Sequence, residues 1–76
     1  METITTLYSK PGCQPCRMTK RLLESENIPH QVVDITESPE ALEAVTKLGY
    51  QSVPVIVAGD QHWSGFRPDL VKALAA

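Results

Sequence analysis

Any fold for this chain has to accommodate two cysteines three residues apart, Cys13-Gln14-Pro15-Cys16, at a change of local pattern. Before them, Thr3-Ile4-Thr5-Thr6-Leu7-Tyr8 is β-branched and aromatic and reads as a strand, broken by Lys10-Pro11-Gly12. After them, residues 13–26 are good helix formers, and Pro15 falls in the first turn, where its missing N–H does no harm. Residues three apart on a helix hold their side chains about 5–6 Å from one another, close enough for a disulfide after a small adjustment. As a staple such a ring is weak, worth about 2 kcal/mol in the chain-entropy model against about 4 for a loop of fifty residues. Two cysteines so placed are there to react, and a CxxC opening the helix of a β-α-β unit reads as a thiol–disulfide redox motif.

The rest of the chain supplies that unit. Cys16, Met18, Leu22 and Leu23 form the inward face of the first helix, Asn27 caps its end and Pro29 lies just beyond. His30 to Ile35 reads as a second strand. Ser38-Pro39-Glu40 is an N-cap, a first helical position and an acid in the first turn. That second helix turns Ala41, Leu42, Val45 and Leu48 inward and stops at Gly49. Pro54 to Ala58 is a third strand, Gly59-Asp60 a two-residue hairpin turn, Gln61 to Trp63 a short fourth strand. Pro68-Asp69 opens a last helix with Leu70, Val71, Ala73 and Leu74 available to pack. The order β-α-β-α-β-β-α predicts an α/β fold in which residues 1–76 form one domain. A four-stranded mixed sheet, its first β-α-β parallel and right-handed and its last two strands an antiparallel hairpin, carries three helices on its faces.

The two sulfurs are not equivalent. Cys13 lies at the helix cap, where free N–H groups and the helix dipole favour a thiolate. Lys10 and Arg17 flank it and add positive potential, whereas Lys20 and Arg21 read as a solvated helix face. Cys16 lies inside the helix on its packed side and is expected to be less solvated than Cys13, which is at the solvent-facing helix end. Cys13 is therefore expected to attack and Cys16 to resolve.

Charge and composition narrow the partners. Seven Lys+Arg against nine Asp+Glu give a net charge of −2, which argues against nucleic acid. No apolar run approaches the roughly 18–20 residues of a membrane span. Met1-Glu2-Thr3-Ile4-Thr5-Thr6 has no signal-peptide pattern, so a reducing, cytoplasmic location is expected. No metal is expected either, because His30 and His62 lack ligand spacing to the cysteines and read as solvated strand residues. Val53-Pro54 reads as trans, since only about 5–6% of X-Pro bonds are cis. Trp63 and Phe66 admit two readings, as core rings of a thin core or as a docking surface beside the thiols. In the register of the last strand Trp63 turns toward a sheet face. Phe66 follows Gly65 and is expected to be the exposed ring, with Arg67 locked in hydrogen bonds at the start of the last helix.

With these segments placed, the chain resembles the NrdH-redoxins, glutaredoxin-like proteins of the thioredoxin fold. Ser52-Val53-Pro54 is similar to the Thr-Val-Pro of glutaredoxins, and Trp63-Ser64-Gly65-Phe66-Arg67-Pro68-Asp69 matches the redoxin signature in full. The resemblance implies a Cys13–Cys16 dithiol that reduces protein disulfides as electron donor to a class Ib ribonucleotide reductase, for deoxyribonucleotide synthesis. The redoxin is itself re-reduced from NADPH by thioredoxin reductase. It also implies that Pro54 is cis and that Val53 offers its backbone to a bound segment. Lys10, Gln14, Pro15, Arg17, Val53, Pro54, Ser64, Gly65 and Phe66 are then the residues expected to meet a partner, with Trp63, Arg67, Pro68 and Asp69 structural. No bound cofactor is expected, and a monomer is. Gln14-Pro15 departs from the family's usual pair, and the Gly-Gly-acid element that binds glutathione is absent. The competing functions are a glutathione-dependent glutaredoxin and a module holding an iron–sulfur cluster between two chains.

Overall fold

A computed structural model describes residues 4–75. Its elements are β1 (Thr5–Ser9), α1 (Gln14–Ser25), β2 (His30–Asp34), α2 (Pro39–Lys47), β3 (Val55–Ala58), β4 (Gln61–Ser64) and α3 (Pro68–Ala75). The order β-α-β-α-β-β-α is the expected one. Thr3, read as part of the first strand, lies outside the described residues.

The sheet runs β2-β1-β3-β4. β1 and β2 are parallel, with Leu7 opposite Val32. β3 is antiparallel to both β1 and β4, so that Leu7, Ile56 and Trp63 fall in one row across three strands. Side chains in such a row point to one face of the sheet. That face builds the main core, in which Leu7, Ile56 and Trp63 meet Leu23 and Ile28 at the end of α1 and Val71 of α3, with Leu22, Leu70 and Leu74 packed against them. Val55 points to the other face by alternation and is also fully buried. α2, whose buried residues are Ala41 and Val45, covers that side.

The helix ends follow the local chemistry. Ser38 Oγ accepts the N–H of Ala41 at 3.2 Å, a cap worth about 1 kcal/mol. Gly49 has φ 92 just past α2, a conformation that favours glycine. Asn27 takes the corresponding left-handed position after α1, with φ 57, one residue beyond the C-cap Glu26.

The inward faces are narrower than the periodicity suggests. α1 buries Cys16, Thr19 and Leu23, at spacings of three and four, and leaves Met18 exposed on the opposite side. Thr19 is fully buried because its hydroxyl donates to Pro15 O at 2.8 Å, which satisfies the polar atom within the helix. In α2, Leu42 and Leu48 face solvent, since a short helix lying on a four-stranded sheet covers only the width of Ala41 and Val45. Ala73 of α3 is likewise exposed. No helix among the described residues is long and apolar enough to cross a membrane.

Candidate active site

The first turn of α1 is built around the Cys13 sulfur. Cys13 is the N-cap, with extended backbone at φ −95 and ψ 106, and its Sγ accepts the backbone N–H of Cys16 at 3.2 Å. A serine or aspartate side chain usually fills this position. The same sulfur is joined to Cys16 in a disulfide whose Cα atoms are 5.2 Å apart. Its second neighbour is Val53 O at 3.8 Å, across the loop that precedes β3.

Exposure does not separate the two cysteines as expected. Cys13 is 6% exposed and Cys16 3%. The expectation of a solvent-facing Cys13 is therefore corrected for the oxidised state, because the Val53 loop closes over it. What distinguishes Cys13 is its place at the cap.

The Val53–Pro54 bond is cis, as the resemblance implied and against the base rate for such bonds. Pro54 is fully buried. Its carbonyl accepts the N–H of Gly65 at 2.9 Å, and Ser64 Oγ donates to Ser52 O at 3.3 Å. Two loops distant in sequence are thus bonded to each other beside the sulfurs. Gly65 has φ 91, a conformation strained for any residue with a Cβ even though open space surrounds it. Trp63 is buried in the core, 7% exposed. Phe66 is partly buried rather than a free ring, since its neighbour Gly65 is tied down to Pro54.

Arg67 is exposed and held locally, as expected, by donating from Nε and Nη2 to the two carboxylate oxygens of Asp69 at 3.2 and 3.0 Å. Pro68 and Asp69 open α3. The hydrogen bond from Arg67 holds the Asp69 carboxyl below its ordinary range. A carboxyl depressed in the folded state contributes stability above the ordinary carboxylate range and loses it as pH falls through its own lower titration. Following Asp69 by NMR, its midpoint should lie below that of a free aspartate and move up in Arg67→Gln.

On the other side of the disulfide a cleft of about 250 Å³ runs between α1 and β2. Lys10, Pro11, Gly12, Arg17 and Lys20 line it with both cysteines, Leu7 and Val32. Lys20 is exposed, as read from the sequence, and also lines this cleft. It follows Cys16 by four residues, a spacing that already puts both on one helical face. Gln14 and Pro15 are exposed on the helix end, and Gln14 Oε1 accepts from Arg17 Nη2. Arg21 lies outside the cleft, beside Gln14, Arg17 and Met18.

Of the two histidines read as solvated strand residues, His62 is exposed on β4 as expected and His30 is not fully solvated. His30 is partly buried and its Nδ1 donates to Ile28 O at 2.8 Å. His62 Nδ1 stands 2.8 Å from the Tyr50 hydroxyl, with the rings edge to face. No local pattern signals that pair, which forms only when β4 comes to lie beside the loop after α2. Among the described residues no group of three His, Cys, Asp or Glu could hold a metal ion.

A disulfide in the first turn of a helix, under a cis-proline loop and on this β-α-β-α-β-β-α frame, defines a thiol–disulfide oxidoreductase of the thioredoxin fold. The glutaredoxin family model matches residues 5–63. The glutaredoxin-like protein NrdH of Escherichia coli K12 is 39% identical over 69 residues, covering 91% of this chain and 85% of that protein. The NrdH of Lactococcus lactis subsp. cremoris is 39% identical over 72 residues, 95% of this chain and the whole of that one. The solved structure of the Escherichia coli NrdH-redoxin superposes with a TM-score of 0.88 at 38% identity, over 92% of each chain. The chain belongs to the glutaredoxin family, and within it to the NrdH glutaredoxin-like proteins.

Proposed function

We propose that the chain carries electrons from NADPH, by way of thioredoxin reductase, to the large subunit of a class Ib ribonucleotide reductase, acting in the cytoplasm as a monomer. The observation that carries the reading is its 39% identity to an NrdH protein over 91% of its length. The Escherichia coli relative is described as glutaredoxin-like with a thioredoxin-like activity profile, and the same profile is assigned to this chain.

In the reduced protein the Cys13 thiolate attacks one sulfur of a client disulfide. The other client sulfur leaves as a thiolate and takes up a proton. Cys16 then gives up its proton and attacks Cys13 Sγ, which expels the second client thiol and forms the Cys13–Cys16 disulfide. Two electrons pass to the client, and thioredoxin reductase returns two from NADPH. The N–H of Cys16, aimed at Cys13 Sγ at 3.2 Å, supports the attacking role, because it stabilises negative charge on that sulfur. The Val53 backbone, which lies 3.8 Å from Cys13 Sγ, and Lys10 and Arg17, which share a cleft with the cysteines, are assigned to partner contact together with Gln14, Pro15 and the Ser64–Phe66 segment.

The test is the choice of reductase. Turnover with NADPH and thioredoxin reductase should be efficient, and turnover with glutathione and glutathione reductase poor. Comparable rates in the two assays would reject the reading. A second measurement addresses the flanking charges. In a Lys10→Gln/Arg17→Gln variant the pH midpoint of Cys13 alkylation should rise modestly, since charges at a helix end are worth about 0.3–1 kcal/mol each. An unmoved midpoint removes both residues from the site.

A further inference from the structure

We propose that the cleft between α1 and β2 receives an acidic segment of the protein whose disulfide is being reduced. The inference rests on the disulfide-reductase reading above and names what selects the client.

Charge along this chain is segregated. From residue 3 to residue 23 there is no acidic residue, while Lys10, Arg17, Lys20 and Arg21 all occur there. A chain of net charge −2 therefore carries its longest acid-free stretch around its cysteines. Folding gathers Lys10, Arg17 and Lys20 around one cleft that both cysteines, Leu7 and Val32 also line. No carboxylate lines it. Asp34, opposite Ser9 in the β1–β2 ladder, does not line the cleft and pairs with none of its cations; its Oδ1 is turned to the N–H and hydroxyl of Thr36 at 2.8 and 2.6 Å. Among the described residues the ion pairs are Lys47–Glu43 and Arg67–Asp69, so none of the cleft's three cations has a carboxylate partner. Cations gathered in a cleft with low-dielectric walls attract a complementary chain and speed its arrival. Val32, 43% exposed on the edge strand, gives that chain an apolar contact beside the charges.

The test uses two synthetic peptides that carry the same intramolecular disulfide, one flanked by Glu and Asp, the other by Gln and Asn. Each is reduced by the dithiol form of the full chain across a range of NaCl. At low salt the acidic peptide should react about tenfold faster, an advantage that fades as salt screens the charges. Lys20→Glu should abolish or invert the preference, whereas Arg21→Glu, the same charge change outside the cleft, should largely preserve it. Equal rates for the two peptides overturn the proposal and leave disulfide reduction standing. An equal loss of preference in both variants also overturns it, because it traces the effect to overall charge. Failure to reduce either peptide removes the reductase reading and this inference together.

Discussion

Cys16→Ser is expected to stop the reaction half-way and accumulate a covalent complex with the client. Attack by Cys13 does not need the second cysteine, so the first step proceeds. Without the Cys16 sulfur nothing expels the client from Cys13, and the mixed disulfide persists. Cys13→Ser should show neither turnover nor trapping. Steady-state reduction should be lost in both variants, and non-reducing electrophoresis after mixing with an oxidised client separates them. Burial does not decide the roles, since both sulfurs are almost covered in the disulfide. The cap decides them, because only Cys13 Sγ receives a backbone N–H from the helix it begins. A Cys13→Ser protein that traps clients better than Cys16→Ser would reverse the assignment.

The second large effect is expected at Trp63. Its ring lies in the row with Leu7 and Ile56 and meets Leu23 and Val71. Truncating a buried ring to alanine costs about 3–5 kcal/mol. In a domain of this size about 1 kcal/mol corresponds to 4–8 °C, so Trp63→Ala should melt at least about 12 °C lower. Trp63→Phe should lose much less, because a ring still fills the site and a buried Nε1 with no protein acceptor is removed. Phe66→Ala contrasts with it. That ring is partly exposed, so its loss should cost distinctly less stability while raising the Michaelis constant with thioredoxin reductase. Differential scanning calorimetry and reductase kinetics on the three variants check both halves. Unchanged kinetics in Phe66→Ala would remove Phe66 from the docking surface, and a melting point for Trp63→Ala near that of the parent would contradict its core role.

Local chemistry made much of this legible in advance. The caps at Ser38 and Gly49, the hairpin turn at Gly59-Asp60 and the CxxC at the strand-to-helix junction each depend on a few adjacent residues, and each stands where the pattern put it. The errors are of another kind. Met18, Leu42 and Leu48 fit a helical period, but which apolar residues are covered depends on how much of each helix the sheet can reach. Met18 and Thr19 are adjacent, and the threonine takes the buried place because its hydroxyl finds an acceptor one turn back. The near-complete cover of Cys13, the cleft that adds Lys20 to the site, and the bond between Gly65 and Pro54 join residues far apart in sequence. No local window contains them. The cis bond at Pro54 was legible only through the resemblance, since composition alone favours trans.

Cys13 Sγ caps α1 as well as forming the disulfide, and the start of that helix is therefore coupled to the oxidation state of the protein. A disulfide sulfur is a weak acceptor and a thiolate a strong one. Reduction should tighten the hold on the Cys16 amide, and amide hydrogen exchange at that residue should slow when the bond is opened and Cys13 is ionised. Opening a crosslink ordinarily frees the chain around it. Here the released sulfur becomes the better helix cap, so the first turn of α1 stays ordered for the approach of the next oxidised partner.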